Sequence, residues 1–259
     1  MFPLGRIILS MGWRDKVKDL DRNEVFDKLE GLRGALIRMF LIIAVLSGVS
    51  FFFWKDALHF LQKPLGLPLI MYSLPEAFIT SLRLALFIGI FLAAPFIFNG
   101  LWGALSPLLS SSFPPRSSLV IVLSASTLFY GGTFFCYFIV LPVGINFLVT
   151  YGSENLQPMI GLAKYMTFSI GLIFAFGLIF ELPLIMLVLG RAGLIGYQNL
   201  AKNRKYALLI NSILSALLTP TPDAYTMLLM MVPMQVLYEL SIWLVRIFGK
   251  KKIPEPEPT

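Results

Sequence analysis

The sequence is poor in the residues that most often carry chemistry. Its 259 residues include one cysteine, Cys136, and one histidine, His59. A single cysteine excludes an intrachain disulfide, so loops outside any membrane must hold by packing alone. Cys136 lies in the apolar run FFCYFIVL, where a thiol acts as a small hydrophobe. His59 has no neighbouring Cys or His to complete a ligand set, so no metal is expected. There is no phosphate-cradling glycine loop, no His/Glu metal pair and no nucleophile–base constellation, and Ser110–Ser112 reads as a loop. Hydrolysis and phosphoryl transfer have no visible machinery, so neither an enzyme nor a cofactor is expected.

Charge is scarce too. Charged residues make up 14% of the chain, against about 25% in soluble domains. What is present is apolar: 57% hydrophobic residues, 23 phenylalanines among them. That composition fits a chain solvated by lipid. The net charge of +7 then reflects attraction of Lys and Arg to an anionic membrane face rather than to nucleic acid.

The N-terminal stretch does not read as a secretory leader. Its longest apolar stretch, Ile7–Leu9, is too short for one, and no small-residue cleavage site follows. Residues 1–34 read as a cytoplasmic tail, with an amphipathic segment near residues 2–13. Residues 248–259, ending KKKIPEPEPT, read as a disordered tail.

Between the tails, residues 35–247 form one membrane domain with six apolar segments. These run over about 35–54, 77–101, 118–141, 165–189, 206–218 and 224–245. Helices are expected, because backbone polar groups in lipid need partners within the segment. The alternating ten-residue strands of a barrel are absent. The fifth segment spans roughly 20 Å as a helix, short of a hydrocarbon core of about 30 Å. It crosses nevertheless if the bilayer thins around it. Lys and Arg cluster in the N-terminal tail, in the loop holding Arg191, Lys202, Arg204 and Lys205, and in the C-terminal tail. The opposite side carries Lys55, Lys63 and Lys164. The positive-inside rule gives six crossings with both termini in the cytoplasm.

Within the fourth segment, FAFGLIFELPLIMLVL, stands one acid, Glu181. An acid at the centre of a span costs about 3 kcal/mol on translocon scales. Pro183 cannot donate to the carbonyl of Ile179, so the helix is weakened or kinked beside the carboxyl. The group is either capped by a neighbouring helix's hydroxyl or is a polar contact for a partner helix or cargo. Glu76 and Arg83 are seven apart and share a helix face, which reads as a structural pairing, with Arg83 reaching outward. Glu239 reads as interfacial, beside a basic neighbour such as Arg246.

Six stretches in order resemble the TatC subunit of the twin-arginine protein translocase. They are LEGLR (Leu29–Arg33), PEAF (Pro75–Phe78) with Arg83, LWGALSP (Leu101–Pro107), FYGGTFFCYFIVLPVGINFL (Phe129–Leu148), FGLIFELP (Phe176–Pro183), and NRKYA (Asn203–Ala207) with LTPTPDAYT (Leu218–Thr226). The resemblance covers about residues 24–248. It implies an all-α integral membrane protein: six transmembrane helices in a cup-shaped bundle, with short fifth and sixth helices. It implies a receptor that binds the signal peptides of folded proteins and assembles with TatA/TatB-type single-span subunits into a hetero-oligomer. Export would be driven by the proton-motive force across a cell inner membrane. Asp27, Leu29, Glu30, Leu32 and Arg33 would form the signal-peptide site. Glu181 and Pro183 would form the intramembrane partner contact, and Thr219, Pro222 and Asp223 the outer turn.

The sequence departs from the family pattern at several positions. The histidine of the first motif is Lys28 and its second glutamate is Gly31. The glutamate expected after the second span is Phe113, and a glutamine of the sixth span is Met227. A pair of arginines needs carboxylates for bidentate hydrogen bonds. Either Glu30, helped by Asp27, supplies them, or twin-arginine recognition is altered or lost. A small-solute or ion transporter using Glu181 is the alternative of another class.

Overall fold

The computed structural model describes residues 22–109, 117–152, 159–219 and 224–249, with side chains described from Arg33 onward. Helix α1 (Arg22–Ser50) passes through a 3-10 turn (Phe51–Phe53) into the short α2 (Trp54–Gln62). Strand β1 (Leu69–Ile70) precedes α3 (Glu76–Leu109), and α4 (Ser117–Phe135) continues through a π turn (Cys136–Val140) into α5 (Leu141–Gly152). Strand β2 (Ile160–Gly161) leads to α6 (Leu162–Ile179), α7 (Leu182–Arg191), α8 (Tyr197–Lys202), α9 (Arg204–Leu218) and α10 (Ala224–Phe248).

Five stretches among the described residues are long and apolar enough to cross a bilayer: 33–62, 76–106, 118–147, 162–191 and 224–248. Helix α9, fifth in chain order, completes the six, and its 15 residues rise only about 22 Å. The six-span, all-α membrane fold read from the sequence is therefore what the chain forms. The sixth span, at 25 residues, is shorter than the 30 or 31 of the first four, yet its rise of about 37 Å exceeds the hydrocarbon core. Helix α1 begins before the first apolar segment, and the amphipathic stretch near residues 2–13 lies outside the described residues.

Small residues set the helix crossings. A Cβ on Gly89 in α3 would collide with Ser47 of α1. A Cβ on Gly132 in α4 would lie 2.6 Å from the Phe176 carbonyl oxygen, and one on Gly177 in α6 would lie 2.7 Å from the Phe129 ring. Lipid offers no hydrophobic drive for helices to associate, so close backbone approach supplies the packing contact instead. The core gathers Leu84, Cys136, Val140, Met166, Phe176 and Met230. Cys136 is wholly buried, in keeping with its reading as a hydrophobe.

One end of the bundle is closed by an ordered cap. Strands β1 and β2 pair in parallel, Leu69 with Ile160 and Ile70 with Gly161. The Tyr137 and Tyr165 hydroxyls donate to the carbonyls of Phe60 and Leu61, each at 2.7 Å, and pin α2 over the bundle. His59 belongs to this amphipathic α2.

Candidate functional site

The fourth span is broken where the lone acid stands. Helix α6 ends at Ile179 and α7 starts at Leu182, with Glu181 as its N-cap residue and Pro183 in the first turn. The Glu181 amide donates to the Leu178 carbonyl at 3.1 Å, a tightened last turn, while the Glu181 carbonyl accepts from Ile185 at 2.9 Å. Pro183 has no amide hydrogen, so the carbonyl of Ile179 goes without its usual helical donor. Phe180 and Glu181 keep helical dihedrals, so the interruption is the weakened turn expected from the sequence, and both Glu181 and Pro183 are buried in it.

Glu181 is 5% exposed. Its carboxyl lies against the backbone amide of Phe129 in α4. Its Oε1 is buried with no hydrogen-bond partner among the described residues. The hydroxyls of the third span are already turned to their own helix: Ser126 donates to Val122, Thr127 to Leu123 and Thr133 to Tyr130. The bland reading, an acid capped by a neighbouring hydroxyl, therefore fails for Oε1. A buried polar atom left unpaired costs about 1–3 kcal/mol.

The short α9 turns its polar side inward. Its buried residues are Ala207, Asn211 and Ser215, one helical turn apart, while Leu209, Ile213 and Leu217 are exposed. The Asn211 side-chain amide donates to the Gln235 side-chain Oε1 at 3.0 Å, and the Ser215 hydroxyl donates to the Met227 backbone carbonyl. Arg204 meets Glu239 at 2.8 Å. These contacts hold α9 against α10. Glu239 therefore pairs with Arg204 rather than with Arg246. The Asn211–Gln235 pair was missed in the sequence, although the Ala207–Asn211–Ser215 spacing carried the signal.

Glu76 and Arg83 share a face of α3 but do not pair. The Glu76 carboxylate accepts from the amides of Tyr72 at 2.6 Å, Ser73 at 3.3 Å and Ala163 at 2.8 Å. It ties the cap to both α3 and α6. Arg83 instead donates to the Thr167 hydroxyl at 3.0 Å.

Of the expected signal-peptide residues, Asp27, Leu29, Glu30 and Leu32 lie on the helical backbone of α1 ahead of the first span, and their side chains fall outside the description. Asp27 and Glu30, three residues apart, share one face of that helix. Arg33 is exposed on the next turn. These residues are some 150 positions from Glu181, and nothing described joins the two groups. Thr219 is the C-cap residue of α9, buried, its hydroxyl donating to Ala216 at 3.2 Å. Pro222, Asp223 and Phe113 lie outside the described residues.

Comparison with known proteins agrees with this arrangement. Residues 27–233 match the family model described as Sec-independent protein translocase protein (TatC). The Sec-independent protein translocase protein TatC of Desulforapulum autotrophicum is 36% identical over 246 residues, covering 93% of this chain and 90% of that protein. The TatC protein of Escherichia coli is 30% identical over 237 residues, covering 89% and 91%. A crystal structure of the twin-arginine translocase receptor TatC superposes with a TM-score of 0.76 at 32% identity, covering 85% of this chain and 98% of that one. The chain belongs to the TatC family of Sec-independent protein translocases.

Proposed function

We propose that this chain is the receptor core of a twin-arginine translocase, engaging signal peptides at its cytoplasmic end and a partner helix within the bilayer. The observation that carries the intramembrane half is the buried, unpartnered Oε1 of Glu181 at a helix break. An acid kept there at a cost of several kcal/mol on its own is explained if a second chain brings a donor to it. TatA/TatB-type single-span helices are the partners of the stated chemistry. The proton-motive force drives transport, and the chain itself performs no covalent step.

The cytoplasmic half rests on the Leu29–Arg33 motif and on Asp27 and Glu30 sharing a helix face. With Gly31 and Phe113 at the two usual glutamate positions, these carboxylates are the ones left to meet an arginine pair. The protein sits in a cell inner membrane with both termini cytoplasmic, an orientation supported by the distribution of Lys and Arg. A proton or ion path through Glu181 is disfavoured, because no described side chain continues from Oε1.

The test is cross-linking of a twin-arginine precursor to membranes holding this chain and its partners. Contact that falls on Glu30→Ala or Asp27→Ala, with the span helices intact, supports the reading. Contact indifferent to both changes, or absent in the unaltered chain, contradicts it.

A further inference from the structure

Two cations stand on neighbouring helices, and neither pairs with an acid among the described residues. Arg83 on α3 donates to Thr167 on α6, and Lys164 lies one turn from Thr167. Arg83, Lys164, Thr167, Ala163 and Phe168 line an open depression of roughly 440 Å³. The nearby acid, Glu76, is occupied by three backbone donors, and no ion pair joins it to either cation among the described residues.

The level of this depression is fixed by sequence. No charged residue follows Arg83 in α3, and none follows Lys164 until Glu181. Each cation is thus the last charge before a long uncharged run. Arg83 lies about 10 Å along the helix from Glu76, and α3 is 34 residues long, well beyond the 20 or so that a bilayer needs. The uncharged runs that follow them put Arg83 and Lys164, by length alone, where a boundary between headgroup and hydrocarbon on the β1–β2 side would fall. A guanidinium and an ammonium at that boundary, above an apolar wall, suit one ligand chemistry: a phosphate diester on an acyl chain. The guanidinium offers forked donors to phosphate oxygens, and the ammonium adds a point charge.

We propose that Arg83 and Lys164 bind the phosphate of an anionic phospholipid in the leaflet on the β1–β2 side, with its acyl chain against Ala163 and Phe168. The proposal rests on the membrane-spanning fold and is independent of the translocase reading. Each basic residue near a membrane surface contributes enough to change affinity about fivefold.

The test is native mass spectrometry of the delipidated full chain titrated with phosphatidylglycerol or phosphatidylcholine. Phosphatidylglycerol should bind the more tightly. Arg83→Gln and Lys164→Gln should each weaken it about fivefold and weaken phosphatidylcholine, whose phosphate is offset by its choline, by less, and Arg83→Lys should retain most of the preference. Lys164, which makes no hydrogen bond among the described residues, keeps the test valid if Arg83→Gln does not fold. Equal binding of the two lipids, or variants that bind phosphatidylglycerol as the unaltered chain does, overturns the proposal. Displacement of the lipid by inorganic phosphate at equal concentration also overturns it, since the site would then take free phosphate.

Discussion

Asn211 of α9 donates a hydrogen bond of 3.0 Å to Gln235 of α10, in the middle of the seam that holds the short fifth helix to the sixth. Asn211 is buried and Gln235 partly so, while Leu209, Ile213 and Leu217 of α9 are exposed. This is the polarity of a helix in lipid, where polar side chains join helices and apolar ones meet the solvent.

Replacing Asn211 by Leu leaves the Gln235 amide unpaired and should destabilise the chain by about 1 kcal/mol. Thermal unfolding in detergent measures the loss. The double change Asn211→Leu with Gln235→Leu should cost less than the two single changes added together, because the orphan disappears with its partner.

Glu76 holds three backbone donors from two separated segments. Glu76→Ala should lower the thermal unfolding temperature, because three backbone donors lose a charged acceptor at once. Hydrogen exchange at the amides of Tyr72 and Ala163 should quicken in the same variant. Arg83→Ala, which removes no acceptor from the cap, should leave those two amides protected.

Gly177 faces Phe129 so closely that a Cβ would sit 2.7 Å from the ring. Gly177→Val should force α4 and α6 apart and cost about 1–3 kcal/mol through overpacking. The measurement is again thermal unfolding, with Gly171→Val as the control, since a Cβ at Gly171 meets nothing within 4 Å.

Much of this was legible in the sequence, for identifiable reasons. The six spans follow from apolar runs and from the placement of Lys and Arg, because lipid leaves few alternatives to a helix. Glu181 was visible as a lone acid in an apolar run, and Pro183 two residues on marked the break. The partners of Glu76 were not visible: Ala163 is 87 positions away, and a shared face with Arg83 says nothing of which donors the fold will bring. The same holds for Glu239, whose cation arrives from α9 rather than from its own helix. Periodicity along one helix names a face, and only the packing of a second helix names the neighbour.

The central claim is that Glu181 keeps an unpaired oxygen for a donor from another polypeptide. A photoreactive residue at Ile185, one turn along and exposed, tests it in membranes that contain single-span partners, in the unaltered chain and in Glu181→Leu. We predict an adduct with a single-span partner that disappears in Glu181→Leu, while that variant, purified alone, unfolds at or above the temperature of the unaltered chain. An adduct of equal yield in both, or a Glu181→Leu chain markedly less stable on its own, would contradict the account.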